Sequence, residues 1–141
     1  MANDAPTLVI TEGQVVTPSV HDAKLLGVML LESNRVRALL GLTDGSQVSL
    51  LFSGVERLRM DDFRQGNIVL DVSVLSGEAV SANDIAYAYG IDQEPQRTTF
   101  LKKMLEEVRA KNLISVTLNP SFGAGFTCLC SNVFAEAPAA S

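Results

Sequence analysis

Residues 24–53 contain three apolar runs divided by turn residues, and this pattern constrains the fold more than any other feature of the sequence. Apolar residues take every second position along its middle, namely Val36, Ala38, Leu40 and Leu42. A period of two turns one face of a β-strand toward a core and the other toward water, so we expect Arg35 and Arg37 to face solvent. The segment is therefore predicted to form three consecutive antiparallel strands.

Two turn signals separate these strands. Asp44-Gly45 lies between two apolar runs, and both residues tolerate the positive φ that a type I′ hairpin turn requires. Asn34 gives a similar signal between the first two strands. Further strands are predicted at residues 68–75, 113–118 and 126–133, so the antiparallel sheet should contain about six strands.

The periodicity becomes helical between residues 95 and 112. The apolar residues of this stretch share one stripe of a helix: Phe100, Leu101, Met104, Leu105 and Val108. One amphipathic helix over 95–112 should therefore pack on the sheet, because the stripe and the apolar sheet face exclude water from each other. The predicted fold class is α+β, with Ser76–Gly90 left open between a short helix and a loop.

The chain should form a single domain, because its 141 residues fit the usual size of one domain. Small, polar and proline residues predict a mobile N-terminus at 1–6 and a mobile tail at 135–141. The remaining residues, 7–134, would then form the α+β domain.

Composition argues against several classes of partner. The net charge is −5 and the eleven Lys and Arg residues are scattered, whereas nucleic-acid-binding proteins concentrate basic residues on one face. The longest apolar run, Leu25–Leu31, is too short to cross a membrane, and no secretory signal is readable. We therefore expect a cytoplasmic protein. With 47% hydrophobic and 19% charged residues, we also expect exposed apolar patches and self-association.

No motif predicts catalysis, a metal or a cofactor. Ser19, His21 and Asp22 are the residue types of a hydrolase triad, but residues this close in a loop rarely reach the triad geometry. Cys128 and Cys130 alternate in an apolar strand, where cysteine usually serves as a small buried hydrophobe, and neither their roles nor that of His21 is decided. These residues also lack the spacing of a zinc site, so the chain is predicted not to be an enzyme.

Three aspartates, with Glu56 nearby, are candidates for metal ligands or for paired carboxylates in acid–base chemistry. Asp61, Asp62 and Asp71 lack the spacing of a calcium loop, and solvated turn residues are the better interpretation. Asp71 lies in a strand whose opposite face is apolar. We expect Arg35 or Arg37 to pair with it across the sheet, because a partly buried carboxylate needs a partner.

Residues 54–67 form a charged connector, and residues 57–67 within it are a candidate recognition patch. Arginines interleave here with leucine, methionine and phenylalanine, a mixture that protein-binding surfaces favour. The alternative is that the apolar residues plug the sheet edge while the charges only solvate it. The candidate partner-binding residues are Arg57, Arg59, Phe63, Arg64 and Asn67.

Two segments resemble known proteins. Residues 63–71, FRQGNIVLD, and residues 119–124, NPSFGA, resemble short patterns of small uncharacterised bacterial proteins, some of which are similar to immunity proteins of polymorphic toxin systems. The resemblance implies a non-enzymatic α+β domain that binds a partner protein.

Together these observations predict a non-enzymatic protein-interaction module, either immunity-like or part of an oligomeric assembly. Its partner would be another protein or a second copy of the chain, which an unpaired edge strand would invite by strand addition. The alternative is a small-molecule-binding protein or an enzyme whose cleft is built from residues that converge only in space.

Overall fold

A computed structural model describes residues 7–92 and 98–137, which form one sheet and two α-helices. The strands are β1 (Val9–Thr11), β2 (Gln14–Thr17), β3 (Lys24–Leu31), β4 (Arg35–Gly41), β5 (Gln47–Ser53), β6 (Arg57–Asp61), β7 (Ile68–Ser76), β8 (Ile114–Phe122), β9 (Gly125–Cys130) and β10 (Asn132–Glu136). The helices are α1 (Ala82–Ala88) and α2 (Thr98–Ala110), and a 3-10 turn at Gly77–Ala79 precedes α1. The predicted mobile residues 1–6 and the end of the predicted tail, 138–141, lie outside the described residues.

The α+β class with a mostly antiparallel sheet is confirmed, whereas the prediction of about six strands is wrong, because the described residues contain ten. Part of the predicted connector forms β6, and the predicted strand 126–133 breaks at Ser131 into β9 and β10. The hairpin of β1 and β2 adds two more strands. Strand β10 also continues to Glu136, two residues beyond the predicted end of the domain.

The sheet curls around one interior. The strand order is β10-β5-β4-β3-β7-β8-β9-β6, and β2 joins β1 to β7. Strand β5 leads into β6 through Gly54, and β9 leads into β10 through Ser131, while β5 pairs with β10 and β6 with β9. The two ends of the strand order are therefore joined through the chain itself. A Cβ at Gly54 would lie 2.8 Å from the Cβ of Ser131, so the two bends meet because residue 54 is glycine.

Two apolar clusters hold the molecule together. The larger fills the curled sheet and includes Phe52 and Phe126, whose ring centroids lie 5.4 Å apart. The smaller lies between the helices and the outer face of β9, where Met104 and Val108 pack against Leu129. The predicted helical stripe is thus confirmed over Thr98–Ala110, and residues 95–97 of the predicted helix lie outside the described residues.

The hairpin turn between β4 and β5 is not the predicted type I′ turn, because Gly45 has a positive φ of 90° but Asp44 does not. The amide of Gly45 donates to the carbonyl of Leu42 at 3.0 Å, which describes a type I turn followed by a left-handed glycine. Consecutive positive φ angles instead occur at Ser33 and Asn34, between β3 and β4.

Strand β4 has the predicted alternation, with Val36, Ala38 and Leu40 buried. The prediction that Arg37 simply faces water is incomplete, because its Nε donates to Glu136 Oε1 on β10 at 3.2 Å. Within the two described ranges, no helix is long and apolar enough to cross a membrane.

Candidate functional site

A row of polar side chains crosses the outer face of the sheet. Each member lies opposite the next in the strand register: Arg59 on β6, Thr127 on β9, Thr117 on β8, Ser73 on β7 and Gln14 on β2. Adjacent residues such as Cys128 and Val116 point into the core, so the row faces outward. The hydroxyl oxygens of Thr117 and Thr127 lie 3.1 Å apart. We call these five residues the polar row.

Helix α1 lies over this row and packs against β6, β8 and β9. Its start answers the question left open for Ser76–Gly90, because Ser81 Oγ accepts a hydrogen bond from the amide of Asp84 at 3.1 Å and caps a short helix. Ile85 is fully buried between the helices and the sheet. On another side of the helix, Asp84 Oδ2 accepts a bond from Ser115 Oγ at 3.3 Å.

Tyr87 ties α1 to two strands. Its hydroxyl lies 2.8 Å from Asp61 Oδ1 on β6 and 3.1 Å from the carbonyl oxygen of Gly125 on β9. Burial, and then the hydrogen bond to Asp61, raise the pKa of Tyr87 above the ordinary value for tyrosine. The phenol therefore keeps its proton at neutral pH and acts as a hydrogen-bond donor rather than as a base.

Arg59 is held against the same helix. Its Nη1 donates to Asp92 Oδ1 at 2.7 Å and to the carbonyl of Tyr87 at 3.3 Å, and its Cζ lies 4.5 Å from the centroid of the Tyr87 ring. The hydrogen bond to Asp92 raises the pKa of Arg59. A looser contact of 3.9 Å reaches Asp61 Oδ2. The guanidinium is therefore fixed by Tyr87 of α1 and by Asp92 after the helix, and more loosely by Asp61 of β6.

A cavity of about 280 Å³ opens between α1 and the outer sheet face. Its polar lining consists of Asp61, Asp84, Tyr87, Thr117, Asn119 and Thr127. Pro120 adds an apolar side chain, whereas the side chains of Leu118 and Phe126, which also border the cavity, are buried in the interior of the sheet. The described lining residues include no cysteine, histidine, lysine or arginine, so this α1 cleft offers hydrogen bonds and negative charge to a ligand.

The partner of Asp71 differs from the predicted one. Asn119 Nδ2 donates to Asp71 Oδ1 at 2.6 Å and to Ser73 Oγ at 3.1 Å. The prediction of Arg35 or Arg37 is wrong because β3 separates β4 from β7 in the sheet. The contact also orients the amide of Asn119, since a carboxylate can only accept and the nitrogen must face it.

The five residues predicted to bind a partner fall into two places. Arg57 and Arg59 lie on β6 against α1, where Arg57 Cζ is 4.5 Å from the Tyr89 ring centroid. Phe63 and Arg64 lie in the loop after β6, and Phe63 is 48% exposed. Asn67 is 2% exposed.

Asn67 joins two loops. Its Oδ1 accepts from the amides of Arg64 at 2.8 Å and Ala124 at 3.0 Å, while its Nδ2 donates to the carbonyl of Arg64 at 2.6 Å. Arg64 Nε pairs with Asp62 at 2.8 Å, and its Cζ lies 5.7 Å from the ring centroid of Phe122, which is also 48% exposed. We call Phe63, Arg64 and Phe122 the loop tip.

Strand β3 keeps one edge open over most of its length. It pairs with β4 from Lys24 to Leu31, whereas its ladder with β7 contains only Lys24 and Ile68. No other strand of the described residues pairs with this edge. Met29 is 59% exposed and Leu30 is 72% exposed. We call residues 26–31 the β3 edge.

The remaining candidates for chemistry, His21, Cys128 and Cys130, do not line the α1 cleft. His21 is exposed, and its Nδ1 lies 2.9 Å from the carbonyl oxygen of Leu70. Cys128 and Cys130 are free thiols with no exposed surface. The thiol–thiol hydrogen bond and burial raise the pKa of Cys128. No group of three or more His, Cys, Asp or Glu residues that could hold a metal occurs within 7–92 and 98–137.

The α1 cleft was missed by sequence reasoning, although one signal for it was present. Ser115, Thr117 and Asn119 occupy every second position of β8, which indicates a polar outer face where an apolar one would otherwise pack on a helix. Tyr87 and Asp84 belong to the segment whose structure was left open. No protein-family model matches the sequence, and no curated protein matches it significantly.

Proposed function

We propose that the chain is a non-enzymatic protein-interaction module that self-associates through the β3 edge. The observation that carries this proposal is the position of Met29 and Leu30, which are the two most exposed large apolar side chains among the described residues. Both lie on a strand edge that has no strand partner among residues 7–92 and 98–137.

An open strand edge presents main-chain donors and acceptors that a further strand can pair with. Monomeric proteins usually protect such edges with charged residues, especially lysine, or with proline. Between Lys24 and Glu32 this strand has only glycine and apolar residues. Two identical strands can pair antiparallel about a two-fold axis, so that the same surface serves both copies. Such pairing would cover Met29 and Leu30 in each copy.

The proposal that the protein is not an enzyme is supported by the state of the candidate reactive groups. The Cys128 thiol is buried with a raised pKa, and the Tyr87 phenol has its pKa moved further from neutrality. A nucleophile or general base for use at neutral pH needs the opposite environment.

Analytical ultracentrifugation tests self-association directly. The wild type should show a concentration-dependent shift to twice the chain mass of 15.1 kDa. Leu30→Lys should weaken the dimer by roughly tenfold or more in dissociation constant, because the two-fold interface contains each substitution twice. Val16→Lys is the matched control, since Val16 is 50% exposed on β2, away from the β3 edge. A wild type that stays monomeric at the highest attainable concentration would refute the proposal.

The loop tip favours a second candidate function, the binding of a different protein. Phe63, in the loop after β6, and Phe122, at the end of β8, are both half exposed, and Asn67 hydrogen-bonds the nearby amides of Arg64 and Ala124. Exposed aromatic residues beside arginine are typical of binding anchors. The resemblance of residues 63–71 and 119–124 to small bacterial proteins, some of which are similar to immunity proteins, implies a partner protein as well. The partner would supply an apolar pocket for Phe63.

Calorimetry with a partner identified by co-purification from the native host tests this second candidate. Phe63→Ala and Arg64→Ala should each weaken binding by about 1–3 kcal/mol while leaving the fold intact. Phe134→Ala is the matched control, because Phe134 is 49% exposed on β10. Equal losses of affinity in Phe63→Ala and Phe134→Ala would exclude the loop tip as the contact. Unfolding of Phe63→Ala and Arg64→Ala would show that these residues are needed for packing of the core.

A further inference from the structure

The α1 cleft has a consistent imbalance between hydrogen-bond donors and acceptors. Both hydrogen bonds from Asn119 Nδ2 go to Asp71 and Ser73, and the Tyr87 hydroxyl is directed to Asp61 or the carbonyl of Gly125. The side-chain donors that line the cavity are thus largely used within the protein.

The acceptors of the same cleft are not used to the same degree. Within the described residues, the carbonyl oxygen of Asn119 receives no hydrogen bond, and the second carboxylate oxygen of Asp84 receives none. Asp61 Oδ2 has only the 3.9 Å contact to Arg59. A ligand that fits this cleft should therefore bring donors.

Charge points to the same kind of ligand. Two carboxylates and no basic side chain line the cavity, and the nearby Arg59 is already held by Asp92 at 2.7 Å. An anion would meet two like charges, whereas a cation would meet two opposite ones at a site partly shielded from water. The net charge of −5 on the chain adds long-range attraction for cations.

We propose that the α1 cleft binds a small organic cation that carries an ammonium group on an apolar body. The ammonium group would donate to the carboxylates of Asp61 and Asp84 and to the carbonyl oxygen of Asn119. The apolar body would lie against Pro120 and the carbon atoms of Tyr87, Thr117 and Thr127, which also line the cavity. A cavity of about 280 Å³ is at the small end of ligand sites, so it suits one ammonium group on a short chain. This site is separate from the β3 edge and does not depend on self-association.

A titration with three matched probes tests the proposal. n-Butylammonium, n-butanol and butyrate have apolar bodies of the same type but differ in charge and donors. Titrations of the full chain followed by amide chemical shifts should show saturable binding of the ammonium probe, with shifts centred on α1, β8 and β9. The affinity for n-butanol should be at least tenfold weaker, and butyrate should not bind. Equal responses to all three probes, or none, would overturn the proposal.

Charge-neutralising variants locate the site. Asp61→Asn and Asp84→Asn should each weaken n-butylammonium binding by roughly tenfold. This corresponds to a loss of about 1.4 kcal/mol in binding free energy when one opposite charge near the ammonium group is removed. Asp62→Asn is the matched control, because Asp62 is the neighbour of Asp61 but pairs with Arg64 outside the cleft. A loss of the same size in Asp62→Asn would show only general attraction to an acidic surface and would overturn the site.

A further variant covers the case in which the aspartate variants fail to fold. A Cβ at Gly125 would lie 3.3 Å from Asp61 Oδ1 and 3.7 Å from the Tyr87 hydroxyl, so Gly125→Ala narrows the cleft without changing its charge. Gly125→Ala should weaken the binding of n-butylammonium severalfold, and an unchanged affinity would refute the assignment. Nα-acetyl-lysine methylamide distinguishes the source of the cation: binding as tight as that of n-butylammonium indicates a lysine side chain, and weaker binding indicates a free amine.

Discussion

Asn67 shows how one buried side chain can define a surface. Its amide group makes hydrogen bonds of 2.6, 2.8 and 3.0 Å that join the loop after β6 to the loop between β8 and β9. Two of these bonds satisfy main-chain amides, of Arg64 and Ala124. The residue predicted to contact a partner is thus buried beneath the loop tip and positions the residues that are exposed there.

Asn67→Ala should lower the free energy of unfolding by about 3 kcal/mol, because it leaves two main-chain amides without their acceptor. Urea denaturation measures the change. Gln65→Ala, in the same loop but exposed, should change stability by less than about 0.5 kcal/mol. A loss below about 1 kcal/mol for Asn67→Ala would mean that water replaces the lost bonds.

Substitutions at Gly123 and Gly66 provide a second test of the contact between the loop after β6 and the loop between β8 and β9. The two glycines have similar positive φ angles, 82° and 84°. A Cβ added at Gly123 would lie 3.2 Å from the Cα of Asn67, whereas a Cβ added at Gly66 would have no neighbour within 4 Å. Gly66→Ala should therefore cost about 1 kcal/mol from backbone strain alone. Gly123→Ala should cost about 3 kcal/mol in the same urea experiment, and equal losses would show that the loop relaxes around the added methyl group.

At the scale of elements, Tyr87 decides how firmly α1 is attached to the sheet. Tyr87→Phe removes the hydroxyl that reaches β6 and β9 and should lower the stability by about 1 kcal/mol in thermal or urea unfolding. Tyr89→Phe is the control, since the described contacts of Tyr89 are to the Phe100 ring and to Arg57. Equal effects of the two substitutions would show that the hydroxyl bonds add nothing.

The pH dependence of stability should report the same hydroxyl. Because the pKa of Tyr87 is raised in the folded state, the unfolded chain loses this proton first, above a pH of about 10. The stabilisation that the protonated Tyr87 hydroxyl contributes is complete below that pH, and it is lost as the pH rises toward the pKa of Tyr87 in the folded state. Urea unfolding across this range should show a smaller alkaline loss in Tyr87→Phe than in the wild type, and identical slopes would contradict the assignment.

Strand β6 shows why some elements were not predicted. Leu58 and Met60 pack against the core while Arg57, Arg59 and Asp61 face outward, so the period of two was present in the sequence. The density of charge favoured the interpretation as a connector. The charges are compatible with a strand because α1 and Asp92 provide partners for the arginines, and these partners come from a different part of the sequence.

At the scale of the whole molecule, local patterns predicted the hairpins of residues 24–53 and the stripe of α2, because their determinants are neighbours in sequence. The curling of the sheet depends on β10 meeting β5 and on the approach of Gly54 to Ser131. The cleft depends on Asp61, Asp84 and Asn119 converging from three elements. No short-range pattern encodes these long-range contacts.

The closed interior makes the two thiols reporters of global unfolding. Cys128 and Cys130 have no exposed surface, so a thiol reagent can reach them only when the sheet opens. Labelling of the native chain should proceed at the rate of global opening and should reach two thiols per chain at once in denaturant. Fast labelling of one cysteine under native conditions would indicate local fraying of β9.

The pairing of β5 with β10 also has a consequence during biosynthesis. Translation adds roughly 5–20 residues per second, so β3, β4 and β5 emerge from the ribosome several seconds before Asn132–Glu136. Until then the nascent chain presents the edge of β5, with Leu50 and Phe52 uncovered, to other nascent chains and to chaperones. We therefore expect an open sheet as the cotranslational intermediate, and an aggregation-prone period that lasts at least until β10 has been synthesised.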